Sequence, residues 1–301
     1  MQGARHSGAI GCAAGLVAVL ALGGSAAAQP PRAPLPLEPG GSRGEAIFPA
    51  FEGWYRNADG SFTILLGYFN RNSQAVDIPI GDDNQIQPGG PDLGQPTHFL
   101  PRRAWGVFAI TVPADFGDQR FTWTLNANNQ RSEISFWLNP QYFIDPFLNR
   151  ANGNTPPRLK VAADGEEVQG PPVTGVAASY TAAVGEPLEL KAWVRDEALT
   201  NPPPARRNAA ARARARRRPP LMLTWRLYRG PAEVTLETGA EDDERGRHAF
   251  EDLAGGETTT YVTFSEPGEY RLMVTANDIS GNGGGGDQCC WTTAHVDVTV
   301  R

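Results

Sequence analysis

The chain is 301 residues long with 40% hydrophobic and 20% charged residues and a formal net charge of −6, proportions that exclude collagen, coiled coil and wholesale disorder. Its 34 Gly and 26 Pro, with Thr, Val, Phe, Tyr and Trp gathered in short alternating segments, favour β-structure over the helical enzyme folds. There is no global basic surplus, so no specific nucleic-acid partner is expected.

Arg5 and His6 precede an apolar run from Ala9 to Leu22, and small residues end at Ala26, Ala27 and Ala28. This is the pattern of a secretory signal peptide over residues 1–28, which places the protein in the periplasm or outside the cell. The run falls short of the roughly 20 residues of a membrane span, so no span is expected after cleavage. Lipidation at Cys12 is the alternative, but Ala9, Ile10 and Gly11 make a poor lipobox. Without the signal's single Arg, 26 basic residues face 33 acidic ones and the charge is −7. Residues 29–45 hold Pro30, Pro31, Pro34, Pro36 and Pro39 and predict a disordered or polyproline-like leader.

The remainder predicts an all-β protein of two antiparallel β-sandwich domains in tandem, residues 46–148 and 173–301, joined by a Pro-rich linker at 149–172 with one short extended segment near 158–162. The first domain opens with a hairpin turning at Asp59-Gly60. Phe62, Ile64, Leu66 and Tyr68 then alternate onto one face, predicted to be the buried one. Further strands are expected at 75–80, 103–112, 121–127 and 132–138, the last pair turning through Asn128-Asn129. Ile134, Phe136 and Leu138 share one strand face, which sends Trp137 to the other, and Trp105 lies off the face of Phe108, Ile110 and Val112. Both tryptophans are therefore candidate ligand-binding platforms, unless a linker, tail or the second domain covers them.

In the second domain Leu223, Thr224 and Trp225, followed by Gly230-Pro231, Val234 and Thr235, precede a penultimate strand marked by Phe264, Pro267, Gly268, Tyr270, Leu272, Val274 and Asp278. Val296, Val298 and Val300 mark a closing strand. This set resembles the bacterial immunoglobulin-like, PKD-type sandwich, and the resemblance implies a non-catalytic spacer or interaction module. Independently, Tyr270, Leu272, Val274 and Ala276 alternate with Arg271, Met273, Thr275 and Asn277, which predicts one apolar face and one wet face. Tyr270 is also placed for a tyrosine corner.

Two features interrupt that pattern. Residues 201–220 form a loop carrying Arg206, Arg207, Arg212, Arg214, Arg216, Arg217 and Arg218, without which the exported chain would have a charge of −14. Such a loop is either a candidate polyanion-binding element or an inserted low-complexity tract. Cys289 and Cys290 are the only cysteines left after signal cleavage, and a vicinal disulfide, free thiols, a metal or an interchain bond are open to them. Strand alternation back from Thr292 puts Cys290 on the core face and Cys289 with Trp291 and His295 on the other. Asp278, Ser280, Asn282 and Gly283 imitate the start of a calcium loop, but Cys289 stands where the bidentate Glu belongs, and a simple turn explains them equally.

No catalytic residue, metal site or cofactor is assigned: His98, His248 and His295 are scattered, and no nucleophile elbow or zinc-binding helix occurs. Three functions stay open. They are an exported binding or adhesion protein contacting an envelope glycan or protein, a structural accessory of an envelope complex, and an envelope enzyme.

Overall fold

The computed structural model describes residues 43–198, 219–238, 246–280 and 289–301. The expected signal peptide, most of the leader and Arg206 to Arg218 lie outside the described residues. Among those described there is no α-helix, only strands and one 3-10 turn at Pro140–Tyr142.

The N-terminal lobe is built from β1 (Ile47–Arg56), β2 (Phe62–Asn70) and β6 (Arg102–Val112) in one antiparallel sheet, and β4 (Asn84–Gln87), β7 (Phe121–Ala127) and β8 (Gln130–Phe136) in a second. A short pair, β3 (Val76–Asp77) with β5 (His98–Phe99), lies beside them. The Asp59-Gly60 hairpin joins β1 to β2, with Gly60 at φ 87° and the Asp59 carboxylate accepting from the Ser61 backbone at 2.9 Å. Asn128 and Asn129 turn β7 into β8 at φ 56° and 59°. Phe62, Ile64, Leu66 and Tyr68 enter the lobe core with Phe108, Trp123 and Phe136, as their period-two spacing predicts. The opposite face of β2 is not wet, because Leu65 is buried there against the second lobe. Residues 43–45, the end of the expected leader, are tied to this lobe through Glu45–Asn72 and Gln130–Gly44 hydrogen bonds.

The C-terminal lobe is an immunoglobulin-like sandwich. One sheet runs β10 (Val168–Gln169), β9 (Arg158–Lys160), β12 (Leu188–Arg195), β16 (Gly256–Phe264) and β14 (Val234–Glu237). The other runs β11 (Ala178–Ala182), β18 (Trp291–Val300), β17 (Gly268–Asp278), β13 (Leu221–Arg229) and β15 (Arg247–Phe250), with β11 parallel to β18 and the rest antiparallel. Trp225 on β13 is fully buried, and the Tyr270 hydroxyl donates to the Glu266 carbonyl at 2.9 Å, the tyrosine corner of this class of fold.

The stretch expected to link the lobes, 149–172, is part of the sandwich: β9 pairs with β12 and β10 with β9, and Leu159 and Val161 are core residues. The short extended segment expected near 158–162 is β9, whereas the two-residue β10 and the pairing of both strands into the sandwich carry too little local pattern for sequence to register.

Candidate functional site

The two lobes meet face to face. On β17, Met273, Thr275 and Asn277 are buried, so the face expected to be wet is covered by the N-terminal lobe. The physical reason is visible at Gly106, whose positive φ of 51° accompanies a bulge in β6. A Cβ there would sit 2.8 Å from the Trp291 ring, so only glycine lets that indole pack over Leu65, Tyr55, Ala109 and Ile144. Tyr228 and Met273 of the second lobe likewise belong to the core cluster of the first. Polar ties cross the same seam: Arg229 grips Asp92 at 2.7 Å and the Gln95 carbonyl, and the Tyr228 hydroxyl donates to the Gly94 carbonyl at 2.5 Å.

This seam is imperfectly satisfied. The Trp291 Nε1, Asn277 Nδ2 and His295 Nε2 atoms are buried without a partner among the described residues. Burial, helped by Arg271 and Arg229, pushes His295 down to about 3, so its imidazole is neutral. Glu52 is buried beside Arg103, whose guanidinium donates to it at 2.6 Å; burial pushes its carboxyl up to about 7 against that pull. Gly67 makes the room, since a Cβ there would collide with the Glu52 carboxylate and the Ala104 carbonyl.

Several cavities open along the seam, among them one of about 510 Å³ between Asp77, Thr97, Arg229 and Glu269. A second, of about 350 Å³, is lined by Tyr68, Leu100, Arg103, Trp105, Arg226 and Thr275, among others. Another, of about 340 Å³, lies on the other side of Leu100 and Arg226 and reaches Glu233.

A row of exposed rings occupies a different part of the N-terminal lobe. Residues 140–147 run along β1, held by the Ile144 N–H on the Trp54 carbonyl at 3.0 Å and the Trp54 Nε1 on the Asn139 carbonyl at 2.7 Å. Gly53 permits the approach, because a Cβ there would meet Ile144 at 2.5 Å. Each exposed ring is backed by one from β1. Tyr142 stacks on Phe51 at 4.8 Å, Phe143 meets Trp54 edge-on at 5.2 Å, and Phe147 meets Tyr55 at 5.3 Å. Phe143 is 58% exposed. Sequence reasoning missed this row because it searched strands for alternation, whereas these rings sit on a 3-10 turn and the loop after it; the aromatic density of residues 142–147 was the available signal.

The two tryptophans singled out from sequence are half-buried rather than freely displayed. The Arg103 guanidinium lies 3.9 Å over the Trp105 ring, and Arg120 lies 4.0 Å over that of Trp137, so one face of each indole is already occupied. Trp105 packs on the seam cluster and lines the cavity of about 350 Å³. Cys289 and Cys290 are bonded to each other. Alternation could not assign them to opposite faces because β18 starts only at Trp291. Among the described residues no group of three or more His, Cys, Asp or Glu is placed to hold a metal, and no helix is long and apolar enough to cross a membrane. His98 pairs with Asp77 at 2.7 Å and His248 with Thr260 at 2.7 Å, so neither joins His295.

No protein-family model and no curated protein sequence matches the chain. Among solved structures it is similar to the D00-D0 domain of intimin, at 10% identity over 85% of this chain and 100% of that one, with a TM-score of 0.23. It is also similar to domains 4 and 5 of the S-layer protein SbsC, at 9% identity over 85% and 98% of the two chains and a TM-score of 0.23. A third is the Yersinia pseudotuberculosis adhesin InvE, at 10% identity over 84% and 58% and a TM-score of 0.24. Likeness at this level carries no weight for function; the all-β, immunoglobulin-like architecture stands on strand order, the buried Trp225 and the tyrosine corner.

Proposed function

We propose that the chain is an exported, non-catalytic binding or adhesion protein of the bacterial envelope that contacts a glycan or protein partner through the aromatic row of the N-terminal lobe. The observation that carries this reading is the row itself. Tyr142, Phe143 and Phe147 stand in solvent while Phe51, Trp54 and Tyr55 hold them from behind, so apolar area is displayed on rings already fixed in position. Such an arrangement costs hydration in the free protein and loses little entropy on binding, which is the signature of an interaction surface rather than of leftover core. The C-terminal lobe, which we assign to the PKD type on Trp225, Gly230-Pro231 and Tyr270, then acts as the rigid support. The arginine-rich loop adds salt-sensitive affinity for polyanions in this reading, and Trp105 and Trp137 are subsidiary candidates.

The test is binding of the chain lacking residues 1–28 to isolated envelope glycans and to envelope protein fractions. A Tyr142→Ser/Phe143→Ser variant should lose at least tenfold in affinity with an unchanged melting profile, as exposed positions do. Trp105→Ala and Trp137→Ala form parallel arms, and deletion of 205–218 should lower retention on heparin alone. Undiminished binding by the double variant would remove the aromatic row from the function.

A further inference from the structure

Arg226 stands apart from the other guanidiniums of the seam. Arg229 is paired with Asp92, Arg271 with Asp297 at 2.6 Å, and Arg103 with Glu52. Arg226 projects from the outer face of β13 toward the N-terminal lobe and forms part of the wall of two of the seam cavities. Among the described residues no carboxylate lies within ion-pair distance of it; the groups that act on its charge are the Tyr68 phenol and a second cation, Arg247, and burial depresses its pKa. Two described acids beside these cavities have other engagements: Glu52 is held by Arg103, and Glu233, on the wall of the cavity of about 340 Å³, faces Arg43 at 3.9 Å. A desolvated cation without a counter-ion is a strong destabilising element unless something supplies the negative charge.

The cavity beside it has what an anion needs. Its walls bring the Tyr68 hydroxyl to the same space as Arg226, and that hydroxyl accepts from the Leu100 N–H at 2.8 Å, leaving its own proton for a second partner. Thr275 adds a hydroxyl and Trp105 an aromatic wall, within a volume of about 350 Å³ that suits a small molecule. The second guanidinium on the wall, Arg103, has its donors spent on the Glu52 carboxyl and on the Tyr68 and Ala104 carbonyls, so the guanidinium left for a ligand is that of Arg226. We propose that this interlobe cavity is a binding site for the oxyanion of a small acidic ligand, a carboxylate or a phosphate, with Arg226 as counter-ion and the Tyr68 hydroxyl as hydrogen-bond donor. The site is separate from the aromatic row and does not depend on it.

Calorimetric titration of the chain lacking residues 1–28, at constant ionic strength, tests this with inorganic phosphate and D-glucuronate as probes and D-glucose as the neutral control. At least one anionic probe should bind in preference to glucose, and the arm that binds identifies the head group. Arg226→Met, which keeps the apolar stem and removes the charge, should weaken that binding at least tenfold, with Arg226→Lys between the two. In probe-free buffer Arg226→Met should melt no lower than the parent, since it removes a desolvated cation that no described acid pairs. The Tyr142→Ser/Phe143→Ser variant should bind the probe as the parent does, which separates this site from the surface proposed above. Absence of anion binding by the parent, or equal affinity in Arg226→Met, would overturn the proposal.

Discussion

The two faces of the sheet that contains β17 and β18 are both buried, yet they are built differently. The inner face, with Leu272, Val274, Ala276, Val296 and Val298 around Trp225, is almost wholly apolar. The outer face presents Met273, Thr275, Asn277, Trp291 and His295 to the other lobe and, among the described residues, leaves three polar atoms without partners where the inner face leaves the Trp225 Nε1. The difference is that between a core that must form for the sandwich to exist and an interface between lobes, where polar groups survive and cavities remain. A buried donor without an acceptor weakens the seam, and cavities of a few hundred cubic ångströms would be intolerable inside a core.

Truncation on each face should separate these roles. Trp225→Ala, which empties the centre of the inner core, is expected to destabilise by about 4 kcal/mol or to prevent folding. Trp291→Ala removes the indole that bridges the lobes and should cost less, about 2–3 kcal/mol, while splitting the thermal transition in two. Trp291→Phe, which deletes the unpartnered N–H and keeps an aromatic ring, should cost under about 1 kcal/mol. If Trp291→Ala lowers a single transition as far as Trp225→Ala does, the seam is core and the two lobes are one folding unit.

The pH response sharpens the same contrast, because two strongly shifted groups of opposite sign sit at the seam. His295 is held at about 3 against an ordinary 6.5, so between these values the unfolded chain binds a proton that the native one does not, and stability falls as pH drops through that window. Glu52 has the opposite sign: its carboxyl is raised from 4.5 to about 7, the native state keeps a proton that the unfolded chain releases, and stability falls as pH rises through that range. Denaturant midpoints against pH should therefore show a flatter acid limb for His295→Gln and a flatter limb between pH 4.5 and 7 for Glu52→Gln. An unchanged acid limb in His295→Gln would mean that the imidazole reaches water.

The smallest effect is expected from reducing Cys289–Cys290. A bond between adjacent residues closes no loop and removes little entropy from the unfolded chain, so reduction should shift stability by under about 1 kcal/mol. A larger loss would show that the ring organises the start of β18 and, through Trp291, the seam.

Much of the architecture was legible from local pattern. Asp59-Gly60 and Asn128-Asn129 announced their hairpins because a tight turn demands positive φ. Tyr270 through Ala276 announced a strand because alternation is a property of consecutive residues. What pattern could not show was the environment of the outward positions: Thr275, Asn277 and His295 have the composition of a solvated face, and they are buried only because a second lobe covers them. The candidate sites follow the same division. Trp105 and Trp137 were visible as residues off the core face, but the guanidiniums lying on them arrive from Arg103 and Arg120, and no spacing rule foretells those contacts.

By itself, then, the sequence determined the β-class, the two lobes, the immunoglobulin-like character of the second and the turns, all consequences of backbone preference and period-two burial acting over a few residues. Tertiary structure alone decided that 149–172 would pair into the sandwich rather than link the lobes and that Tyr142, Phe143 and Phe147 would align against β1. It also decided that, among the described residues, no acid would pair with Arg226 at the seam. These depend on which surfaces meet across a hundred residues or more of chain, and the energies that select them, side-chain packing and charge pairing between distant strands, have no local signature.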